Sequence, residues 1–405
     1  MNILFHRYGS ICEPDIMEAF QSLNFTVIEE DLEISQKSID GEKRVSILAE
    51  KILTENPVFV FSINYFPYIS EICQRLHVLY VCLSVDCPVL ELFSATIRNS
   101  CNRIFLFDYN QYLQIHKENP GCIFHLPLGS NTDRWNNIID PLAETEPDSP
   151  SCLTGSAKDK RWKYDVSFIG SLYTEKASYA KLPLSDFDRG FADGLMEAQL
   201  KLPALSLIEA ALPDFLTQAF KNAAPGFHGL PDAIQNTDAY VAANYFLGMR
   251  ISELERIRTL NALGETFRVD LFTRSDTSSL KNVHCHDGVS THRQMPEIFY
   301  RSKINLNITM RPIQTGLPQR IWDVLGCRGF LLTNYQAEIP DYLEIGSDVD
   351  CFENLAELKE KTAFYLAHED IRLAIAEHGY HTVREKHTCL HRVITMLNTV
   401  FPANP

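Results

Sequence analysis

Between residues 304 and 334 the chain reads INLNITMRPIQTGLPQRIWDVLGCRGFLLTN, and three of its features can do chemistry. Gly316 and Pro318 are helix-entry residues. A helix starting beyond them turns its free backbone N–H groups and its positive dipole end toward the loop. Arg320 falls in the first turn, where a permanently charged planar fork can grip a phosphate. Asp323 follows three residues on along the same face and can accept from a sugar hydroxyl. An ordinary βαβ crossover would carry the same pattern, and the residues alone leave both readings open.

A second cluster, His284-Cys285-His286, has metal-ligating side chains but poor spacing. On a strand the two histidines share one face and the cysteine points to the other, so a common tetrahedral site is not expected. No metal is assigned. The eleven cysteines form no CxxC pair, which suggests reduced thiols and a cytoplasmic location. Acidic residues outnumber basic ones, 52 to 37, for a net charge of −15. That field disfavours nucleic acid and anionic membranes as partners. MNILFHRYGS enters a strand directly, so no signal peptide is expected, and no apolar run approaches the ~20 residues of a transmembrane segment.

These residues need a scaffold. In residues 1–131, apolar runs such as PVFVFSI and VLYVCLSV alternate with helical patterns at 14–23, 46–53, 68–76, 90–98 and 111–117. Near-continuous apolar strands between helices predict a parallel sheet covered on both faces, with functional loops at its carboxyl ends. Residues 140–162 are rich in Pro, Ser and charge and read as a linker. A strand from Tyr164 ends at Gly170-Ser171. A helical insertion, broken at Pro203, Pro213, Pro225 and Pro231, fills 177–260 before alternation resumes. A final helical tract is expected to kink at Gly379.

DVSFIGSLYTEK, INLNIT, TGLPQRIWDVLGCRGFLLTNY and HGYHTVREKHTCLHRV resemble the carboxyl half of the CgeB-like (spore maturation protein) glycosyltransferases. FSINYFPYISEIC, SVDCPVLELFS, CNRIFLFD and LPLGSN resemble the amino-terminal domain that accompanies it. The resemblance implies an α/β protein of the GT-B class, with two doubly wound Rossmann-like domains facing a cleft. The expected division is 1–139, a linker at 140–163, 164–380 with the insertion at 177–260, and a terminal tract at 381–405 that can pack back on the first domain. The implied activity is sugar transfer from a nucleotide-sugar, UDP-sugar favoured, to a glycan or protein acceptor, with no obligatory metal and no other cofactor.

The resemblance also implies roles. Gly316, Leu317 and Pro318 form the loop against the donor diphosphate, with Arg320 as its charged partner. Asp323 stands where many relatives place a Glu on the ribose. Gly170 and Ser171 approach the sugar and phosphates, Lys176 reaches toward a phosphate, and the backbone at Val289 pairs with the base. Tyr173, Arg274, Asn307 and Thr315 complete the donor side. An inverting transfer needs a base near the acceptor hydroxyl. The candidates are Asp86, His6 and Asp108 at strand ends of the first half, with Asn64 and Tyr65 as acceptor-binding partners. Asp86 could instead cap the following helix, and His6 could be a satisfied core histidine. A nucleotide-sugar 2-epimerase and a non-catalytic nucleotide-sugar-binding scaffold remain as alternatives.

Overall fold

The computed structural model describes residues 1–36, 39–144, 161–176, 178–202 and 206–402. Twelve strands form two six-stranded sheets. The first contains β1 (Asn2–His6), β2 (Thr26–Glu30), β3 (Phe59–Ile63), β4 (Leu79–Ser84), β5 (Asn102–Leu106) and β6 (Ile123–His125). The second contains β7 (Tyr164–Ile169), β8 (Val269–Thr273), β9 (His284–Asp287), β10 (Ser302–Asn307), β11 (Leu331–Asn334) and β12 (Asp350–Phe352). The strand orders are 2-1-3-4-5-6 and 12-11-10-7-8-9, and every pairing is parallel. Strand order therefore reverses between β1 and β3 in one sheet and between β7 and β10 in the other. In open parallel sheets, the crevice at that reversal is where ligands bind.

The strands β3 (FVFSI) and β8 (VDLFT) are buried along their whole length, as expected for sheets covered on both faces. One apolar cluster runs from Phe5, Phe61 and Leu83 in the first half to Ile321, Trp322 and Leu325 in the second. The helix Thr132–Glu144 carries the chain between them, with Trp135 and Ile139 in that cluster. Asp140 belongs to this helix, where it pairs with Arg328 at 2.8 Å, so the expected linker starts later than Asp140. Residues 145–160 of that linker, Ala177 and Pro203 of the insertion, and the last three residues of the tail lie outside the described residues.

The stretch from Leu90 to Arg98 is two 3₁₀ turns rather than one helix. Ser94 is extended because its backbone bridges to Ala233, while its hydroxyl bonds to Asp232 at 2.5 Å. This contact docks the helical insertion on the first domain. Tyr245 adds a second tie by donating to the Pro88 carbonyl at 3.1 Å. The last helix, Cys389–Val400, packs on Glu13–Ser22 of the first domain.

The final tract breaks at His387-Thr388, not at Gly379, which lies inside the helix Glu369–Lys386. Thr388 caps the next helix, its hydroxyl accepting from the His391 N–H. Gly379 serves a close approach instead: a Cβ there would lie 2.3 Å from the Asp348 carbonyl oxygen and 3.0 Å from Leu325 Cδ2. Gly379→Ala should therefore destabilise the chain by about 1–3 kcal/mol through overpacking, read as a lower urea midpoint. An unchanged midpoint would show that this helix can slide away.

Candidate active site at the facing sheet edges

The reversal point of the second sheet is bounded by the loop after β7 and the loop after β10. Gly170 closes β7, its N–H donating to Phe272 O at 3.1 Å. Ser171 Oγ then bonds to Glu175 Oε1 at 2.6 Å. Tyr173 adopts φ +66°, and its hydroxyl crosses the gap to Met310 Sδ at 3.3 Å.

Beneath Tyr173 lies Arg256, from the helix Met249–Gly264. It donates to Ser171 O and to Ile308 O, both at 2.5 Å, and so ties the ends of β7 and β10 together. Its guanidinium sits 4.6 Å from the Tyr173 ring centre and 5.3 Å from that of Phe168. Arg256 is buried, its Nε has no hydrogen-bond partner, and no carboxylate pairs with it among the described residues. A buried cation lacking a counter-charge is costly and marks a place that suits an anion. Nothing in the local sequence distinguishes this arginine from other helical arginines.

Arg320 is the second cation. It rests 5.3 Å over Phe299, against Met295 Sδ, with Nη1 3.5 Å from Asp323 Oδ2. Burial pulls its pKa down and Asp323 pushes it back, while Arg256 and Tyr173 also act on it, so these groups share one site. Lys176 is exposed, 5.8 Å over the Tyr173 ring. Two cations thus lie on the Tyr173 ring, Arg256 and Lys176, and a third, Arg320, within electrostatic reach of it, in a chain of net charge −15.

Asp323 is buried, and its Oδ1 accepts from Gln319 Nε2 at 2.9 Å. In this arrangement it steadies Arg320 rather than standing open to a ribose. Burial raises its pKa from 3.8 to about 6, with Arg320 and Gln319 opposing. The folded chain therefore holds a proton that the unfolded chain has lost between pH 3.8 and about 6. This contribution to stability is complete below that window and is lost as pH rises through it. At about 1.4 kcal/mol per pH unit, the loss is roughly 3 kcal/mol. Asp323→Asn should gain about that much relative to the parent between pH 4 and pH 7 in parallel urea titrations. Equal pH slopes would mean that Asp323 stays ionised throughout.

Other expected donor residues have different occupations. The N–H groups of Gln314, Thr315 and Gly316 all donate to Asp108 Oδ2, at 2.8, 3.0 and 3.0 Å. The glycine loop is thus filled by a carboxylate of the first domain and is not open to a diphosphate. Asp108 is buried, and its Oδ1 caps the helix Tyr109–Ile115, which removes it as a base candidate. Leu317 is a core residue, and Pro318 occupies the N-cap position of the helix Gln319–Gly326. Asn307 is buried in the sheet, bonded to Thr309 and Thr333. Arg274 is exposed after β8 against Gly288, and Val289 is half-buried in the core.

In the first domain, Asp86 is exposed at the end of β4. Asn64, at φ +59° after β3, donates to Asp86 Oδ2 at 2.6 Å and to Tyr8 Oη at 2.8 Å. Asn is one of the few side chains that tolerate this backbone. Burial and then Asp86 push the Tyr8 pKa up; burial and Glu91 do so at Tyr245, and burial, Asp323 and Asp15 at Cys12, with Asp86 adding a smaller part to each of these two. Its charge thus reaches Tyr8 of the first-strand loop and Tyr245 of the insertion. The helix-capping alternative does not apply, because the next helical turn, Leu90–Phe93, has Val89 at its N-cap and no side-chain cap.

His6 and Tyr65 do not reach the cleft. His6 is fully buried, with Nδ1 on Glu30 at 2.5 Å and Nε2 on the Tyr68 hydroxyl at 3.3 Å. Tyr65 is buried, stacked on Tyr80 and bonded to Thr96 at 2.8 Å. The loop after β1 is also self-filled: Tyr8, Gly9 and Ser10 N–H groups all donate to Glu13 Oε1 at 2.9 Å. His286 stacks on Phe272 and bonds to Asp270 at 2.8 Å. Among the described residues, no group of three or more His, Cys, Asp or Glu side chains could hold a metal ion, and no helix is long and apolar enough to cross a membrane.

Residues 251–398 match the family model described as Glycosyl transferase-like. No curated protein matches the chain. Among solved structures, a glycosyltransferase from Rickettsia africae ESF-5 is similar at 12% identity and a TM-score of 0.53, with 99% of both chains covered. Sucrose-phosphate synthase from Thermosynechococcus elongatus is similar at 9% identity and a TM-score of 0.55, with 100% of both covered. Anabaena HepE, solved with UDP and glucose, is similar at 9% identity and a TM-score of 0.51, with 99% of this chain and 100% of that one covered. The segment that carries Arg256, Arg320 and Asp323 is thus a glycosyl transferase-like segment, in a chain with the GT-B fold.

Proposed function

We propose that this chain is a glycosyltransferase that moves a sugar from a nucleotide diphosphate donor to an acceptor hydroxyl without a metal. The observation that carries this reading is the cation cluster at the reversal point of the second sheet, Arg256 and Lys176 on the Tyr173 ring with Arg320 within electrostatic reach. When the glycosidic bond of the donor breaks, negative charge develops on the departing diphosphate. Fixed cations stabilise that charge where it appears. They supply the positive field that a metal would otherwise provide. Asp86, held by Asn64 on the facing edge, takes the proton of the acceptor hydroxyl. Closure of the two edges keeps water from the donor.

UDP is the favoured nucleotide, supported by the Anabaena protein solved with UDP and glucose. The sequence resemblance to CgeB-like enzymes favours a cell-surface or spore glycan, or a protein, as acceptor, and cytoplasmic residence fits the ten cysteines that are free among the described residues. An epimerase would need acid and base groups flanking one sugar ring, and a scaffold would need no Asp86. The test is a thermal-shift panel of UDP, GDP, CDP and dTDP, with and without magnesium. A true ligand at ~100 times its dissociation constant adds about 2.7 kcal/mol of stability. No shift from any diphosphate would overturn the donor-site assignment. Arg320→Ala should weaken diphosphate binding by about 1.5–3 kcal/mol, the worth of a charge-assisted contact. Unchanged affinity in calorimetric titration would place the phosphates elsewhere.

A further inference from the structure

A cleft separates the helical insertion from the loops that follow β10 and β11. The insertion side presents Glu209 and Asn244, and the sheet side presents Met310, Gln314 and Gln336. Most polar groups on the walls are bonded within the protein, as Asn244 is to the Tyr240 carbonyl and Arg311 to Glu255, but Glu209, Gln314 and Gln336 keep spare capacity. Glu209 has only the Asn244 amide, at 3.4 Å, and no cation pairs with it among the described residues. Burial accordingly pushes its carboxyl above the ordinary value. The Gln336 side chain is 7% exposed and has no hydrogen-bond partner among the described residues. Gln314 spends its carbonyl on Asn110, leaving its NH₂ free for the cleft. Met310 joins this cleft to the cation cluster, because Tyr173 donates to its sulfur at 3.3 Å.

A carboxylate and planar amides on opposite walls form a set of hydroxyl acceptors and donors, and neither an anion nor an apolar group would satisfy it. We infer that this cleft binds the hydroxyls of a pyranose ring, with Glu209 and Gln336 as its main contacts. The inference rests on the transferase reading, which puts a diphosphate beside Tyr173. The sugar has two possible sources, that of the donor and that of the acceptor.

The experiment compares Glu209→Ala and Gln336→Ala with the parent protein by calorimetric titration, after thermal melts confirm folding. Glu209→Gln is the reserve should the alanine variant not fold. The probes are UDP, UDP-glucose, UDP-N-acetylglucosamine, maltotriose, cellotriose and chitotriose. UDP affinity should stay within about twofold in the variants. A loss of tenfold or more confined to a UDP-sugar assigns the cleft to the donor sugar. The same loss confined to a trisaccharide assigns it to the acceptor. The inference is overturned if every sugar probe binds variant and parent alike, or if the parent binds no trisaccharide and holds neither UDP-sugar differently from UDP. Failure of UDP itself to bind the parent would instead remove the transferase reading, while a trisaccharide lost by the variants would leave the cleft standing.

Discussion

Asp108→Ala should lower the stability of the chain by about 3–5 kcal/mol and loosen the joint between its halves. One oxygen of this buried carboxylate accepts from three successive N–H groups of the other domain, and its second oxygen caps the helix Tyr109–Ile115. Losing the cap costs about 1 kcal/mol. Each buried donor left without a partner costs about 1–3 kcal/mol, so three donors exceed the cap even if one recovers a water. The backbones also meet here: a Cβ on Gly316 would lie 2.8 Å from Asp108 Cα. Relaxation cannot readily close the gap from the loop side. Neighbouring ties at the same joint, Tyr109 N–H and His125 to Glu338 at 2.8 and 2.9 Å, keep the cost from rising further. Hydrogen exchange should show the amides of Gln314, Thr315 and Gly316 protected in the parent and exposed in the variant. Asp108→Asn separates the two roles, since asparagine caps equally well but turns an NH₂ toward the loop. A variant with parental stability and protected amides would rule out this account of the joint.

The two doubly wound halves were legible because PVFVFSI and VLYVCLSV carry the continuous apolar signal of strands buried on both faces. The strand–loop–helix unit around Arg320 was legible for the same local reasons, in glycine, proline and helical spacing. What local pattern could not carry was the tertiary partner. Asp108 reads as a helix cap, and it is one, but its interdomain role depends on a loop some 200 residues away. His6 looks cleft-facing at the end of β1, yet β2 continues beside it and supplies Glu30 to enclose it. Gly379 reads as a helix breaker, whereas the helix keeps it for a close approach to Asp348. Arg256 had no local signal, because its significance lies in the two carbonyls it joins, Ser171 and Ile308, on strands far apart in the chain.

Asp86→Asn should lower kcat by a factor of about 10²–10⁴ while leaving UDP affinity close to that of the parent. The substitution keeps size and hydrogen-bonding capacity but removes the group that takes the proton of the attacking hydroxyl, and general-base catalysis contributes this range. In barrier terms it is about 3–5 kcal/mol, at 1.36 kcal/mol for each factor of ten. Little of the change should appear as instability. Asp86 is exposed, and its neighbour Asn64 keeps its contacts with Tyr8 and with the Val85 N–H when the carboxylate becomes an amide. Asp86 stands on the first domain, apart from the cations that hold the diphosphate, so donor binding and proton transfer should separate in the variant. Asn64→Ala supplies the complementary measurement. It leaves the base in place but removes the donor at 2.6 Å that orients it, so kcat should fall by less than in Asp86→Asn. Should Asp86→Asn retain full kcat with UDP bound normally, the base must come from another residue or from the departing phosphate itself, and the first domain would then serve only to hold the acceptor.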